Sequence, residues 1–357
     1  MKNCIIVIPV LDPNDAFTPY VKQLICEDFK SIIIVNDGSS NEKTQIFEKL
    51  DELPEVTVLT HAVNMGKGRA LKNAFNYILN DSDLATQHGV ITVDGDGQHK
   101  VSDVLKLCSE LEEKSSSLLL GVRHFQEENV PWTSRMGNTI TRHLFRLLYG
   151  KGLNDTQTGL RGISTDVLPD FTAIEGERYS YETNMLIVAV HKGLRLKEVP
   201  IATVYIKDNE ESHFNPVKDS IEIYVLLFKN FFKFMSVSFT SFLIDISFFQ
   251  LFLFILGFMT VGREIITATI LARAVSSLFN FSISHKWVFE SKKRWNQTLF
   301  SYYGLVAVQA LISGVSVYWL FQLTGIKEVI LKVFVDAILF MISYRIQKLL
   351  IFKSHEK

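Results

Sequence analysis

The chain has 357 residues, room for two domains at about 100–200 residues each. Its 37 basic and 38 acidic residues give a net charge of −1, which excludes the basic surplus of a nucleic-acid binder. A mean hydropathy of +0.17 is high for a soluble enzyme, and the apolar residues gather after Lys233.

Before that point the chain alternates strand and helix patterns. Compact apolar runs predict strands over Ile5–Pro9, Ser31–Asn36, Val56–Leu59, Gly89–Val93 and Leu118–Val122. Helical patterns fall between them near Asp15–Asp28, Glu42–Leu53, Gly66–Leu79 and Asp103–Lys114. The alternation predicts a Rossmann-like α/β domain, a mostly parallel sheet with helices on both faces. The first apolar run is short and preceded only by Lys2, so no secretory signal is expected and the domain should stay in the cytosol. Cys4, Cys26 and Cys108 lack metal-ligand spacing and read as buried, reduced thiols.

In such sheets ligands bind beyond the carboxyl ends of the strands, and there the chain places its acidic residues. The first strand runs into Asp12, the second into Asp37-Gly38-Ser39, and the fourth into Asp94-Gly95-Asp96-Gly97-Gln98-His99. Asp94 and Asp96 can converge on one Mg2+ or Mn2+, with Gln98 adding a neutral oxygen, since these ions prefer oxygen ligands and share them with phosphates. The glycines allow a tight backbone beside a diphosphate. A polar turn would also explain Asp-x-Asp taken alone. Asp37 can accept hydrogen bonds from a base or ribose. Asn64-Met65-Gly66-Lys67-Gly68 opens a helix whose free N–H groups suit phosphate, although an ordinary helix entry has the same pattern.

In order and spacing, Ile8-Pro9, Asp37-Gly38-Ser39, Asn64-x-Gly66-x-Gly68 and Asp94-x-Asp96-x-Gln98-His99 resemble the family-2 glycosyltransferases, and within them the polyprenyl-phosphate (dolichyl-phosphate-type) sugar synthases. The resemblance covers residues 4–215 and implies a GT-A fold. It also implies inverting transfer of a hexose from a UDP-glucose-like or GDP-mannose-like donor to polyprenyl phosphate. Nucleotide-sugar contacts are implied at Pro9, Val10, Asp12, Asp37, Gly38, Asn64, Gly66, Lys67, Asp94 and Gly95, with Mg2+ or Mn2+ on Asp94, Asp96 and Gln98. The family often carries Asn-Glu after the first strand; this chain has Asp12-Pro13, which gives Asp12 the nucleotide contact.

Downstream, Gly121-Val122-Arg123 and Ser134-Arg135-x-Gly137-Asn138 match the places where these synthases grip the lipid phosphate, so Arg123, Ser134 and Arg135 are implied there. Guanidinium is the preferred fork for phosphate oxygens. Asp155-Thr156-Gln157-Thr158-Gly159-x-Arg161 resembles the acceptor-side motif, with Asp155 facing the sugar or acceptor and Gln157 and Arg161 nearby. Asp96, Arg123, Arg135 and Asp155 are thus the expected catalytic set. Glu182 follows on a helix that lies near the active site in the family; structural salt bridges are the alternative for Arg161, Glu177 and Arg178. A lipid phosphate is already ionised near neutral pH, so no strong general base is required.

A spanning helix needs about 20 apolar residues. Four stretches qualify, about Phe234–Phe258, Ile265–Ile283, Leu299–Leu323 and Val329–Ile351. Lys229, Lys233, the Lys286–Arg294 basic cluster and the Arg345–Lys357 basic residues lie on one side, which puts both termini and the first domain in the cytoplasm of a plasma-membrane protein. The segment Val217–Lys233 reads either as an interfacial helix that, with Phe145–Leu148, would form an acceptor groove at the bilayer surface, or as a solvated connector that runs into the first span. Inside the spans, Asp245 and Arg273 suggest an ion pair, and Asp336 lies within the fourth, where a charge is expected to face a partner or a polar cavity. Arg273-x-x-Ser276-x-x-x-Asn280-Phe281 and Lys286-Trp287-Val288-Phe289 resemble the GtrA-like four-helix membrane domain over residues 231–353. The expected organisation is therefore 1–215 catalytic, 216–233 juxtamembrane and 234–357 membrane-spanning, and a homo-oligomer is compatible with it. A processive polysaccharide synthase is disfavoured because Gln-x-x-Arg-Trp is absent before the spans. A lipid-sugar translocator with an inactive first domain is disfavoured by the intact Asp94, Asp96, Arg123 and Arg135.

Overall fold

A computed structural model describes residues 3–112, 117–123, 132–202, 218–258 and 261–352. The chain divides into two compact units, Met1–Leu226 and Leu227–Lys357.

The first unit is built on a seven-stranded sheet. Its strands are β1 (Cys4–Val10), β2 (Ile32–Asn36), β3 (Val56–Thr60), β4 (Gly89–Thr92), β5 (Ser117–Arg123), β6 (Arg161–Ser164) and β7 (Arg195–Ile201), in the order β3-β2-β1-β4-β6-β5-β7. The five expected strands are present. β6 and β7 lie outside that expectation, because one is four residues long with an arginine and a glycine, and the other carries three charged residues and a proline, as an edge strand can. The strands β1 to β4 run parallel. β6 is antiparallel to both β4 and β5, and β7 is parallel to β5. It follows that β5 points the same way as β4, and that the segment leading into β6 arrives at the edge where β1, β2, β4 and β5 end.

The helices explain why the central strands are continuous apolar runs. α1 (Phe17–Cys26), α2 (Thr44–Asp51) and α4 (Val101–Glu112) pack on one face, where Phe17, Leu24, Phe47, Leu107 and Leu111 meet Ile6, Ile8, Ile32 and Ile34. The alternate residues Ile5, Val7, Ile33 and Val35 point the other way and are also buried. There α3 (Lys67–Asn80) covers β1 and β2, and α6 (Leu168–Thr172) and α7 (Ser180–His191) pack against it. α5 (Trp132–Tyr149) follows β5. Phe145 and Leu148 are 0% and 1% exposed, and Phe145 stacks on Tyr149 at 4.9 Å. The acceptor-groove expectation for them is therefore corrected: they are buried, and among the described side chains of this helix the exposed apolar ones are Met136 and Ile140.

The second unit contains the long apolar helices. α8 (Lys218–Leu256) is one continuous helix of 39 residues, so 216–233 is not a separate interfacial helix among the described residues. α9 (Val261–Ile283), α10 (Trp295–Thr324) and α11 (Glu328–Ile346) follow; α9 and α11 each continue into a π-helical turn, Ser284–Val288 and Gln347–Ile351. Four helices therefore stand where four spans were expected. Two of them, Ser220–Leu256 and Trp295–Thr324, are long and apolar enough to cross a membrane by that measure alone. Several polar side chains within these helices find partners, as a low-dielectric surrounding favours. The expected pair forms, with Arg273 Nη2 at 3.4 Å from Asp245 Oδ2, and Ser276 Oγ donates to Asp245 Oδ1 at 2.7 Å. Tyr302 donates to Asn280 at 3.1 Å, and Asp336 pairs with Lys332 at 2.9 Å.

Candidate active site

The carboxyl edge of the sheet collects the chemistry. Asp12 lies just past β1 with φ +47°; its Oδ1 accepts the Ser40 amide at 2.8 Å and its own amide donates to Ser39 Oγ at 2.9 Å. These bonds lock the loops after β1 and β2 together. Asp37, just past β2, is 5% exposed. Its Oδ1 accepts His61 Nδ1 at 2.7 Å and the Met65 amide at 2.9 Å, and its Oδ2 accepts the Gly66 amide at 2.8 Å. Asn73 Nδ2 donates to His61 Nε2 at 2.8 Å, which leaves Nδ1 as the protonated nitrogen facing Asp37. In this arrangement Asp37 is the post around which residues 61–66 are wound, rather than a free carboxylate offered to a nucleotide.

The glycines of that loop also admit protein. A Cβ on Gly66, at φ +98°, would stand 2.5 Å from the Glu177 carbonyl, and one on Gly68 would stand 2.5 Å from Tyr181 Cβ. The start of α3 therefore lies directly on residues 177–181, with Arg69 N–H donating to the Glu177 carbonyl at 3.0 Å. Gly38 packs on the Val63–Asn64 backbone, and Gly95 on the Val10 side chain. Pro9 and Val10 are buried in β1, whereas Asn64 is exposed.

This packing delivers Lys67 to the strand ends. Its ammonium lies 2.6 Å from Asp94 Oδ1 and 2.9 Å from Glu182 Oε1. Asp94 Oδ2 is 3.2 Å from His99 Nε2. Burial alone would raise the Asp94 carboxyl, but Lys67 and His99 hold it well below the usual range. Burial would lower Lys67, and its two carboxylates push it up instead. Asp96 differs: burial and the Asp94 charge both raise it, and the Gln98 amide, donating to Oδ1 at 3.0 Å, acts the other way together with His99 and Lys67 without reversing the shift. Gly159 stands against Asp94, so close that a Cβ there would meet Oδ2 at 2.2 Å. Its carbonyl accepts Thr92 Oγ1 at 2.8 Å, which fastens the 155–160 segment to β4.

At the end of β5, Arg123 forks onto Asp155, Nε to Oδ2 at 2.7 Å and Nη2 to Oδ1 at 3.2 Å. Asp155 is 0% exposed and also accepts the Gln157 amide at 3.1 Å. The expectation that Asp155 faces sugar or acceptor is corrected accordingly, because its carboxylate is spent on fixing Arg123. Asn138 of α5 donates to the Asn154 carbonyl at 2.7 Å and accepts the Thr156 amide at 3.4 Å, pinning this helix to the same loop. Ser134 and Arg135 fall in the first turn of α5, and their side chains lie outside the described residues. Arg161 is 1% exposed, with Nε donating to the Thr158 carbonyl at 2.9 Å and Nη1 to the Glu182 carbonyl at 2.7 Å. It ties the loop to α7 from beneath and reaches no surface. Glu177 pairs with Arg69 at 2.6 Å and Lys72 at 2.7 Å, a structural cluster. The roles of Gly159, Thr92, His61 and Asn73 escaped the sequence reading; the signal for Gly159 was a glycine placed just before a strand facing an acidic strand end.

The donor set at Asp94 and Asp96 suits a hard cation. Two carboxylates two residues apart repel each other, which together with burial raises Asp96, and Asp94 already lies against Lys67 and His99. Among the described residues no group of three or more His, Cys, Asp or Glu could hold a metal. A cation here would thus draw its remaining ligands from neutral oxygens and substrate phosphates, the habit of Mg2+ and Mn2+ rather than of a resident zinc.

An α/β sheet with an acidic pair, a lysine and a fixed arginine along one carboxyl edge has the makings of an enzyme for phosphorylated substrates, joined here to a membrane-type helical unit. Comparison with known proteins makes this specific. The chain belongs to glycosyl transferase family 2, whose description matches residues 6–171, and it carries a GtrA/DPMS transmembrane domain over residues 233–352. It is a membrane protein. An uncharacterized protein of Methanocaldococcus jannaschii is 30% identical over 204 residues, covering 56% of this chain and 81% of that one. A UDP-N-acetylglucosamine–dolichyl-phosphate N-acetylglucosaminyltransferase of Methanococcus voltae is 28% identical over 221 residues, covering 56% and 85%. Polyprenol monophosphomannose synthase of Mycolicibacterium smegmatis is 24% identical over 177 residues, covering 48% and 65%.

Proposed function

We propose that this chain transfers a hexose-type sugar, with inversion, from a nucleoside diphosphate sugar to polyprenyl phosphate at the cytoplasmic face of a membrane that it crosses with four helices. The observation that carries this reading is the meeting of the Asp94–Lys67 and Arg123–Asp155 pairs on one sheet edge, in a chain with a GtrA/DPMS domain. Two relatives are named for the same acceptor class and for different sugars, which supports the acceptor more than the donor. The Asp155–Gly159 stretch leans toward a UDP-sugar.

Asp94 and Asp96, with the Gln98 side-chain oxygen, would hold Mg2+ or Mn2+. That ion supplies neutralisation of the charge growing on the diphosphate as the glycosidic bond breaks. The protein does the rest. Lys67 and the N-terminal end of α3 add positive charge on the donor side. Arg123, positioned by its fork onto Asp155, would take part in binding the acceptor phosphate, with Ser134 and Arg135 as its proposed partners. A phosphate oxygen attacks the anomeric carbon from the face opposite the diphosphate; that C–O bond forms, the bond to the diphosphate breaks, and the electron pair leaves on the nucleotide. The nucleophile arrives ionised, so positioning replaces proton abstraction, and a buried Asp155 committed to arginine is consistent with that.

The test incubates membranes containing the full chain with short polyprenyl phosphate and a panel of radiolabelled UDP- and GDP-sugars. Label should enter organic-extractable lipid only with a divalent cation, and Asp96→Ala and Arg135→Ala should each abolish it. Label appearing in a water-soluble polymer, or in lipid with both variants fully active, refutes the reading.

A further inference from the structure

One contact at the strand ends is unusual for a site meant to hold a cation: a lysine already occupies it. Lys67 Nζ touches Asp94 Oδ1 at 2.6 Å, on the carboxylate that the functional reading gives to the metal, and its side chain is only 17% exposed. It also touches Glu182 Oε1 at 2.9 Å, and Glu182 is 5% exposed. Resting on the reading above, we propose that Lys67 is an internal counter-ion that holds Asp94 against a divalent cation until a nucleoside diphosphate draws its ammonium away, so that cation and donor load together.

Three features make the exchange feasible. First, Lys67 is the first residue of α3, at the end of a four-carbon stem that can turn without moving the helix. Second, neither carboxylate is stranded when the ammonium moves. Asp94 keeps His99 at 3.2 Å, and the buried Arg161, whose Nη1 bonds the Glu182 carbonyl at 2.7 Å, keeps positive charge beside Glu182. Third, Asp94 itself cannot retreat, because Gly159 stands directly against its oxygens. A monovalent ammonium and a divalent cation then compete for one fixed oxygen. Alone, the cation must displace a well-paired lysine. With a diphosphate present, the lysine gains a new anion as it leaves, so the two ligands assist each other. A free divalent ion would be held poorly, and a donor without a cation would find Lys67 engaged with Asp94.

The experiment measures Mn2+ binding to the full-length protein by electron paramagnetic resonance, with and without UDP and without acceptor. Wild type should bind Mn2+ weakly alone and about tenfold or more tightly with saturating UDP. Lys67→Met should bind Mn2+ alone about tenfold more tightly than wild type and respond less to UDP. Glu182→Gln leaves the ammonium to Asp94 alone, so it should weaken Mn2+ binding in the absence of UDP. Lys67→Arg, which keeps the charge, should retain coupling of the wild-type sign. A Lys67→Met protein of unchanged melting temperature whose Mn2+ affinity is equal to or below that of wild type overturns the inference. If that variant does not fold, Glu182→Gln decides, and unchanged or tighter Mn2+ binding overturns it. Wild type that binds Mn2+ and UDP independently defeats the counter-ion role alone, whereas wild type that binds neither defeats the functional reading as well.

Discussion

Gly159→Ala isolates one contact in the site. Gly159 lies outside the left-handed backbone region, so the substitution adds a methyl group and little else. That Cβ would stand 2.2 Å from Asp94 Oδ2 and 2.4 Å from Oδ1. Ordinary contact begins at 3.4 Å, so the carboxylate must withdraw by about 1.2 Å. Thr92 Oγ1 holds the Gly159 carbonyl at 2.8 Å and keeps the loop from yielding, so the shift falls on the Asp94 carboxylate and disturbs its 2.6 Å contact with Lys67. Overpacking of this kind costs about 1–3 kcal/mol of stability. A displacement of about 1 Å in a reacting group costs about a hundredfold in turnover. Sugar transfer into lipid should therefore fall about a hundredfold in Gly159→Ala, beyond what lost folding explains. Gly162→Ala is the control: its Cβ would press on Leu119 at 3.2 Å, in the sheet and away from Asp94, so it should lower the melting temperature and spare turnover per folded molecule. Equal activity losses in the two variants, or an active Gly159→Ala protein, would show that the fixed position of Asp94 does not matter.

Three further outcomes follow from the same geometry. Asp155→Asn releases the Arg123 fork; because Arg123 is 24% exposed, the stability cost should be about 2 kcal/mol by thermal or chemical melting, with a larger rise in KM for polyprenyl phosphate than for the donor. Asp96 is raised in the folded state, so the folded chain holds that proton more firmly and loses stability as pH climbs past the ordinary carboxylate value. In chelator, Asp96→Asn should accordingly melt higher than wild type at neutral pH, and the difference should vanish below about pH 4. In the second unit, Asp245→Asn should lower the melting temperature in detergent, at a cost of about 1 kcal/mol, and leave sugar transfer in place.

Much of this arrangement was legible in the residues. Parallel strands buried on both faces are unbroken apolar runs, and Cys4–Val10 and Ile32–Asn36 show it plainly. Acidic residues immediately after such runs must lie on one edge, which placed Asp94 near Asp37 and Asp12. What the pattern lacked was long-range pairing. Lys67 meets Glu182 only because two glycines let α3 settle on residues 177–181, and no local spacing signals that contact. Asp155 read as facing sugar or acceptor, and Arg161 as its neighbour or as a structural partner, because a motif does not show burial. Their burial follows from bonds to Glu182 and Arg123 that lie 21 and 32 residues away. Phe145 and Leu148 were misplaced for a related reason, since an amphipathic helix shows its apolar stripe without saying what covers it.

The reversed strand β6 brings the chain back to the rim at which β5 leaves the sheet. Leu118, Leu119 and Leu120 pair with Ile163, Gly162 and Arg161, so the excursion between these strands leaves and re-enters the sheet at neighbouring points of the same rim. Its length and contents can change without shifting the register of β1 to β4. Changes in that connection therefore alter what stands beside Asp94 and Asp155 while the parallel strands keep their pairing.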